Sequence, residues 1–136
     1  MIGPMSRIFV ILSGVLGFSA VALGAFGAHG LRSRLESLPD GVKRMEWWTT
    51  AAHYHLTHAL ALAVVAWLAH RGAGASTTLA GWSFVAGVTL FSGSLYVMAV
   101  TGQTKLGAIT PLGGLLLLVG WAAVVVAGVR VGATAG

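Results

Sequence analysis

Four long stretches of this chain carry no Asp, Glu, Lys or Arg, and this pattern restricts its fold more than any other feature. They cover about residues 8–28, 49–69, 79–100 and 109–129. About 20 apolar residues in a helix cross the hydrocarbon core of a bilayer. The short connections place neighbouring helices antiparallel. The sequence therefore predicts an all-α integral membrane protein, a single domain over residues 1–136 with four transmembrane helices in an up-and-down bundle.

The charged residues are few and lie mainly at the ends of these stretches. Charged side chains make up 8% of the chain and hydrophobic ones 57%, whereas a soluble domain is roughly 25% charged. The net charge of +5 indicates anchoring at the bilayer surface and not nucleic-acid binding. The chain has no cysteine, which excludes disulfides and thiolate ligands. The first apolar run also fits a signal peptide, but its length and the later runs favour a span.

One polar segment, residues 31–48, joins the first two spans. Leu31, Leu35 and Leu38 share a helical face, so we expect a short helix lying along the membrane interface between spans one and two. Asp40 follows a proline and precedes a glycine, which is typical of a turn. We expect its side chain to cap the helix that enters the second span.

Other residues mark where the spans begin. Trp47 and Trp48 are typical interface anchors. Ser76 or Thr77 is predicted to be the N-cap of the third span, and Thr110 that of the fourth.

Small residues recur on one face of the first span and on one face of the fourth. Such faces let a neighbouring helix approach closely. The two sets are Ser13, Gly17, Ala20, Gly24 and Ala28 in the first span and Gly113, Gly120 and Ala127 in the fourth.

The unusual polar residues of the four spans converge on one side of the membrane. They occur at the end of the first span, the start of the second, the later half of the third and the start of the fourth, which an up-and-down bundle brings together. The predicted polar cluster consists of His29, His55, His58, Ser92, Ser94 and Tyr96.

Depth and helical spacing separate the histidines. His55 lies about 10 Å beyond the tryptophan pair and His58 about 15 Å, near the middle of the bilayer. These two are three residues apart and share a face, whereas His53 points away. We expect His58 to meet Ser92, and His55 to meet Ser94 or Tyr96. His29, at the surface, is too far from His58 to share a metal ion with it.

Two interpretations of these histidines compete. In the first, they are neutral imidazoles that form hydrogen bonds between helices. In the second, they relay protons, handle a small solute, or bind a metal or haem. A helical metal site usually has histidines four apart together with a carboxylate. Here the spacing is three and the spans hold no carboxylate, which favours the first interpretation. The serines have no acid to complete a hydrolytic triad, so we expect no catalytic residues.

The chain resembles a known family, the YgdD / transmembrane protein 256 family, labelled domain of unknown function 423. The matching residues are Leu23–His29, Tyr54, His58–Leu62, Phe91–Tyr96, Thr110–Gly114 and Gly120–Trp121. The resemblance implies a small four-span protein of the bacterial inner membrane, with a mitochondrial counterpart in animals and no established activity. His29 and His58 belong to the family pattern, whereas His53 and His55 are particular to this chain.

These observations lead to a functional hypothesis. We expect a non-enzymatic accessory or structural protein without cofactors, which packs in the lipid bilayer with another membrane protein or with copies of itself. The alternatives are a small transporter or proton-handling protein, and a metal or haem binder. Basic residues are nearly balanced on the two sides of the membrane, so the positive-inside rule sets no orientation. We expect both termini in the cytoplasm, as is commoner for an even number of spans.

Overall fold

The computed structural model describes residues 1–134, and helices account for most of this length. The elements are α1 (Pro4–Phe26), a π-helical turn (Gly27–Leu31), α2 (Arg32–Leu35), α3 (Gly41–His70), α4 (Ala75–Thr101), a 3-10 turn (Thr104–Ala108) and α5 (Thr110–Thr134). Within residues 1–134, four helical segments are long and apolar enough to cross a membrane. The protein is therefore an all-α membrane protein with four spanning helices, as the sequence predicted.

The two middle helices of the bundle, α3 and α4, form its centre. α1 packs against α3, α3 against α4, and α4 against α5. The main apolar core draws side chains from all four long helices. Its largest buried members are Phe9, Leu62, Val65, Phe84 and Leu117. The outer helices α1 and α5 consequently leave much of their apolar surface to the lipid.

The connection between α1 and α3 differs from the expected interfacial helix. The short helix α2 is present, but it continues α1 through the π-helical turn. Leu31 and Leu35 are 5% and 4% exposed and pack against Trp48, whereas Leu38 is 39% exposed. The expectation that all three leucines face the membrane interface is therefore wrong, because two of them cover a tryptophan of the bundle.

Gly27 lets the π-helical turn lie directly against the indole ring of Trp48. A Cβ atom at position 27 would collide with the indole ring of Trp48. The indole Nε1–H donates to the carbonyl oxygen of Leu23 at 2.9 Å, one turn earlier in α1. Trp48 is thus a buried link between α1 and α3 with 4% exposure, and its predicted role as an interface anchor is wrong.

The amino-terminal ends of α3 and α4 lie at glycines and have no capping hydrogen bond from a side chain. Asp40 makes no capping hydrogen bond and instead forms an ion pair with Arg44, at 2.9 Å between Oδ2 and Nε. α4 begins after Gly74, whose φ of 73° favours glycine. Ser76 and Thr77 already lie inside the helix, and their hydroxyls donate to carbonyl oxygens three residues earlier. The predicted capping roles of Asp40, Ser76 and Thr77 are therefore wrong.

Serine hydroxyls join α1 to α3 along the length of their interface. Each of these side chains donates to a backbone carbonyl oxygen of the opposite helix, at 2.8 Å. The pairs are Ser6 with Ala66 and Ser13 with Ala59. In an apolar medium such bonds satisfy the hydroxyls and also fix the register of the two helices.

Glycines allow α5 to approach α4 closely. A Cβ atom at Gly113 would meet the backbone of Phe91, and one at Gly120 would meet the ring of Phe84. Ala127, seven residues further on, is fully buried. The prediction that these three small residues form a packing face is confirmed. Thr110 is the first residue of α5, and its hydroxyl lies 2.7 Å from the hydroxyl of Ser94.

We predict that Gly120→Leu destabilises the bundle, because the new side chain would overlap the ring of Phe84. Overpacking of this kind costs about 1–3 kcal/mol. The free energy of unfolding can be measured by circular dichroism during titration with a denaturing detergent. The matched control is Gly128→Leu, since a Cβ atom at Gly128 meets no other atom within 4 Å. Equal stability of the two variants would contradict the packing described here.

Candidate functional site

His55 lies at the point where α1, α3 and α4 meet. Its Nε2 is 3.2 Å from the Ser19 hydroxyl, and its Nδ1 is 3.2 Å from the Tyr96 hydroxyl. The imidazole is 6% exposed. Of the two partners expected from the sequence, the structure thus selects Tyr96 and not Ser94. The sequence did not point to Ser19, because it lies off the small-residue face of the first span.

Both ends of this hydrogen-bonded trio are fixed by the protein. The Ser19 hydroxyl is within reach of the carbonyl oxygens of Val15 and Leu16, at 3.0 and 3.1 Å. The Tyr96 ring packs edge-on against Trp48, with ring centroids 4.6 Å apart. The trio is therefore held at one end by the backbone of α1 and at the other end by aromatic packing in the bundle.

His58 connects α3 to α5. Its Nδ1 is 2.7 Å from the carbonyl oxygen of Tyr54, which can only accept a hydrogen bond. Its Nε2 accepts a hydrogen bond from the Trp121 indole Nε1–H at 3.1 Å. These partners define a neutral imidazole that carries its hydrogen on Nδ1.

The expected contact between His58 and Ser92 is wrong. Ser92 is almost completely buried, and its hydroxyl donates to the carbonyl oxygen of Ala51 at 2.9 Å. Ser92 does join α3 to α4, but through the backbone one helical turn before His55. Trp121, the partner of His58, belongs to the Gly120–Trp121 pair that matches the family pattern. The spacing of residues in the sequence did not indicate that its indole would reach α3.

The remaining members of the predicted cluster lie elsewhere. Ser94 faces α5 and contacts Thr110 at 2.7 Å between hydroxyl oxygens. His29 lies in the π-helical turn and is exposed. His53 is also exposed, as predicted for a side chain that points away from the cluster. The structure thus resolves the predicted cluster into two separate histidine centres, at His55 and His58, while Ser92 and Ser94 bond to other groups.

A cavity of about 590 Å³ borders His58 between α3, α4 and α5. Its walls are mainly aromatic and aliphatic, with Tyr54, Phe91, Leu118 and Trp121 among them. The rings of Tyr54 and Phe91 lie 4.4 Å apart between centroids, so this wall is tightly packed. The cavity offers apolar surface, and the two polar atoms of its imidazole already contact protein groups.

The arrangement provides hydrogen bonding between helices more readily than ligand binding. Each imidazole has two nitrogens, and in both His55 and His58 each nitrogen contacts a protein group. A metal or haem iron would need one of these nitrogens and would break a link between helices. Among residues 1–134, no three His, Cys, Asp or Glu side chains form a group that could hold a metal ion.

Comparison with known proteins agrees with this architecture. A family model described as protein of unknown function (DUF423) matches residues 23–114, more than half of the chain. The chain is 49% identical over 125 residues to the UPF0382 membrane protein YwdK of Bacillus subtilis, covering 91% of this chain and 98% of YwdK.

Two further relatives come from other bacteria. UPF0382 membrane protein SERP0230 of Staphylococcus epidermidis is 40% identical over 89% of this chain and 94% of its own. A UPF0382 membrane protein of Haemophilus influenzae is 39% identical over 86% of this chain and 90% of its own. No solved structure shows a significant match. The resemblance found in the sequence is thereby confirmed, and the chain belongs to the DUF423 family of membrane proteins.

Proposed function

We propose that this chain is a non-enzymatic accessory or structural membrane protein, in which His55 and His58 hold the helices in register. The observation that carries the proposal is that all four imidazole nitrogens contact other groups of the protein. Three of these contacts reach other helices, through Ser19, Tyr96 and Trp121. The polar residues of the spans therefore form hydrogen bonds within the protein, as expected of groups that determine how the helices of a bundle assemble.

The energy available from these bonds suits a role in register. Hydrogen bonds between membrane helices are worth about 0.6 kcal/mol on average and rarely exceed about 2 kcal/mol. A lost partner costs more, because the lipid offers nothing to replace it. The histidines thus add little to the stability of the correct bundle, but they disfavour shifted arrangements in which an imidazole or indole would remain unpaired.

We predict that His58→Phe lowers the free energy of unfolding by about 1–3 kcal/mol, because it leaves the Trp121 indole N–H without its acceptor. Phenylalanine keeps the ring contacts of the histidine with Phe84 and Trp121. Stability is measured by circular dichroism in a denaturing detergent. His53→Phe, at an exposed position on the same helix, is the matched control and should change it little.

A double-mutant cycle separates the hydrogen bond from simple packing. Trp121→Phe removes the donor, so the variant that carries both His58→Phe and Trp121→Phe should lose less stability than the two single changes added together. A coupling energy near zero would show that the bond contributes nothing. Loss of a bound metal or of a haem absorption band in His58→Phe would instead favour a ligand-binding role.

The surface of α1 supports association with another membrane helix. α1 is the least buried of the four spanning segments. At Gly14, Gly17 and Gly24 an added Cβ atom would meet no other atom within 4 Å. The bundle leaves these glycines free, so the backbone of a second membrane protein, or of another copy, could approach α1 closely.

We predict that Gly17→Leu weakens this association and leaves the monomer folded, because the leucine would project into unoccupied space. Cross-linking in native membranes, followed by separation by size, measures the fraction of the chain in complexes. Gly128→Leu, an equally open glycine on α5, is the matched control. A wild-type protein that remains entirely monomeric under these conditions would refute the accessory role.

We also propose that the protein lies in the bacterial inner membrane with both termini in the cytoplasm. Four spanning helices support a common side for the two termini, and bacterial relatives named membrane proteins support the location. We predict that green fluorescent protein fused to the carboxyl terminus fluoresces, since it folds in the cytoplasm. An alkaline phosphatase fusion at the same position should be inactive. The reverse pair of results would invert the orientation.

A further inference from the structure

The cavity of about 590 Å³ beside His58 is a cleft between two helices that contact each other little. α3 and α5 both pack against α4, and the hydrogen bond from the Trp121 indole to His58 joins them across the cleft. Phe91 of α4 lines the cleft between the two helices. The cleft is open towards the bilayer, because Tyr54, Leu118 and Trp121 in its lining are all exposed.

The cleft lies within the apolar part of the membrane. Tyr54 follows Thr49, where the apolar run of α3 begins, and is about 7 Å further along the helix axis. His58 is about 6 Å deeper than Tyr54. An occupant of the cleft must therefore come from the lipid phase, and most of its surface must be apolar.

Two aromatic rings and a glycine surround the shallower end of the cleft. The rings of Tyr54 and Phe91 lie 4.4 Å apart between centroids, and a Cβ atom at Gly114 would lie 3.8 Å from the Phe91 ring. Both Tyr54 and Gly114 thus adjoin Phe91, and the missing side chain of Gly114 leaves space beside its ring. A flat ring suits this space, since aromatic rings pack in offset-stacked or edge-on arrangements.

Tyr54 also supplies a hydrogen-bond donor that the protein does not use. Within residues 1–134 its hydroxyl forms no hydrogen bond. The other polar side-chain groups of the lining, on His58 and Trp121, bond to protein groups. A hydroxyl without a partner is costly where the membrane supplies no water. An occupant with a carbonyl oxygen would accept the hydrogen bond of Tyr54.

We propose that this cleft binds a lipid-soluble quinone, a molecule that combines a flat ring, carbonyl oxygens and an apolar tail. The ring lies on Phe91 beside Gly114, one carbonyl oxygen accepts a hydrogen bond from the Tyr54 hydroxyl, and the tail runs along Leu118. Both nitrogens of His58 keep their partners in the protein. The site is therefore independent of the register role proposed for the histidines.

An ordinary phospholipid acyl chain matches the cleft less well. Its methylene groups have no oxygen that could accept a hydrogen bond from Tyr54, and a flexible chain has no flat face to lie on Phe91. The ester oxygens of a phospholipid lie in the interfacial layer outside the hydrocarbon core. A quinone and an acyl chain therefore differ in whether binding depends on the Tyr54 hydroxyl.

A binding assay with a defined quinone tests the proposal. Purified protein in a mild detergent is titrated with tritiated decylubiquinone, and a scintillation proximity assay measures the bound probe, which is expected to saturate. Unlabelled decylubiquinone should displace the probe about fivefold more effectively than decylbenzene, which has a ring and a tail but no carbonyl oxygen, or than phosphatidylethanolamine. Absence of saturable binding, or equal displacement by either competitor, would overturn the proposal.

Variants of the cleft test the assigned contacts. Tyr54→Phe removes only the hydroxyl and should weaken the binding of decylubiquinone about fivefold. Gly114→Leu fills the space beside Phe91 and should abolish saturable binding. Its Cβ atom makes an ordinary contact with the Phe91 ring, so the helices should stay intact, which circular dichroism verifies.

The matched control is Gly128→Leu, an open glycine of the same helix that does not line the cleft. This variant should bind decylubiquinone like the unmodified protein. Unchanged affinity in Tyr54→Phe or in Gly114→Leu would refute the site, and so would an equal loss of binding in Gly114→Leu and Gly128→Leu.

Discussion

The structure depends on one constraint, which is that a bilayer supplies no water to bond with polar groups. In the described part of the chain, every buried side-chain nitrogen and oxygen has a hydrogen-bond partner. Serines use backbone carbonyl oxygens of neighbouring helices, and histidines use Ser19, Tyr96, Trp121 and a backbone carbonyl. Because the bonds between helices join particular residues, they determine how far each helix is shifted along its neighbour.

The sequence predicts what depends on composition and periodicity. Four uncharged stretches are enough to predict four spanning helices, and the spacing of Gly113, Gly120 and Ala127 correctly predicts the packing face of α5. The pairing of His55 with Tyr96 follows from their similar depth and was also among the expected contacts. The spans and the packing face can be read from neighbouring residues in the sequence. The His55–Tyr96 pair can be predicted once the direction of each helix through the membrane is known.

Contacts that depend on rotation and register were not predictable from one sequence. The His58 partner on α5, Trp121, could not be identified, because depth alone does not tell which neighbour an imidazole faces. Trp48 looked like an interface anchor, since tryptophans at the start of a span usually are. It is buried because Leu31 and Leu35, far before it in the sequence, pack on its indole and Gly27 leaves space for the ring.

The burial of Trp48 has a mechanical consequence. Leu31 and Leu35, in the connection outside the spans, pack on this indole, and on its other side the indole contacts Tyr96. Tyr96 in turn bonds to His55, which reaches Ser19 of α1. A displacement of the surface connection would therefore be passed through the edge-on contact of Trp48 and Tyr96 to a hydrogen bond in the interior of the membrane. The surface connection and the middle of the bundle are thus joined by one continuous series of contacts.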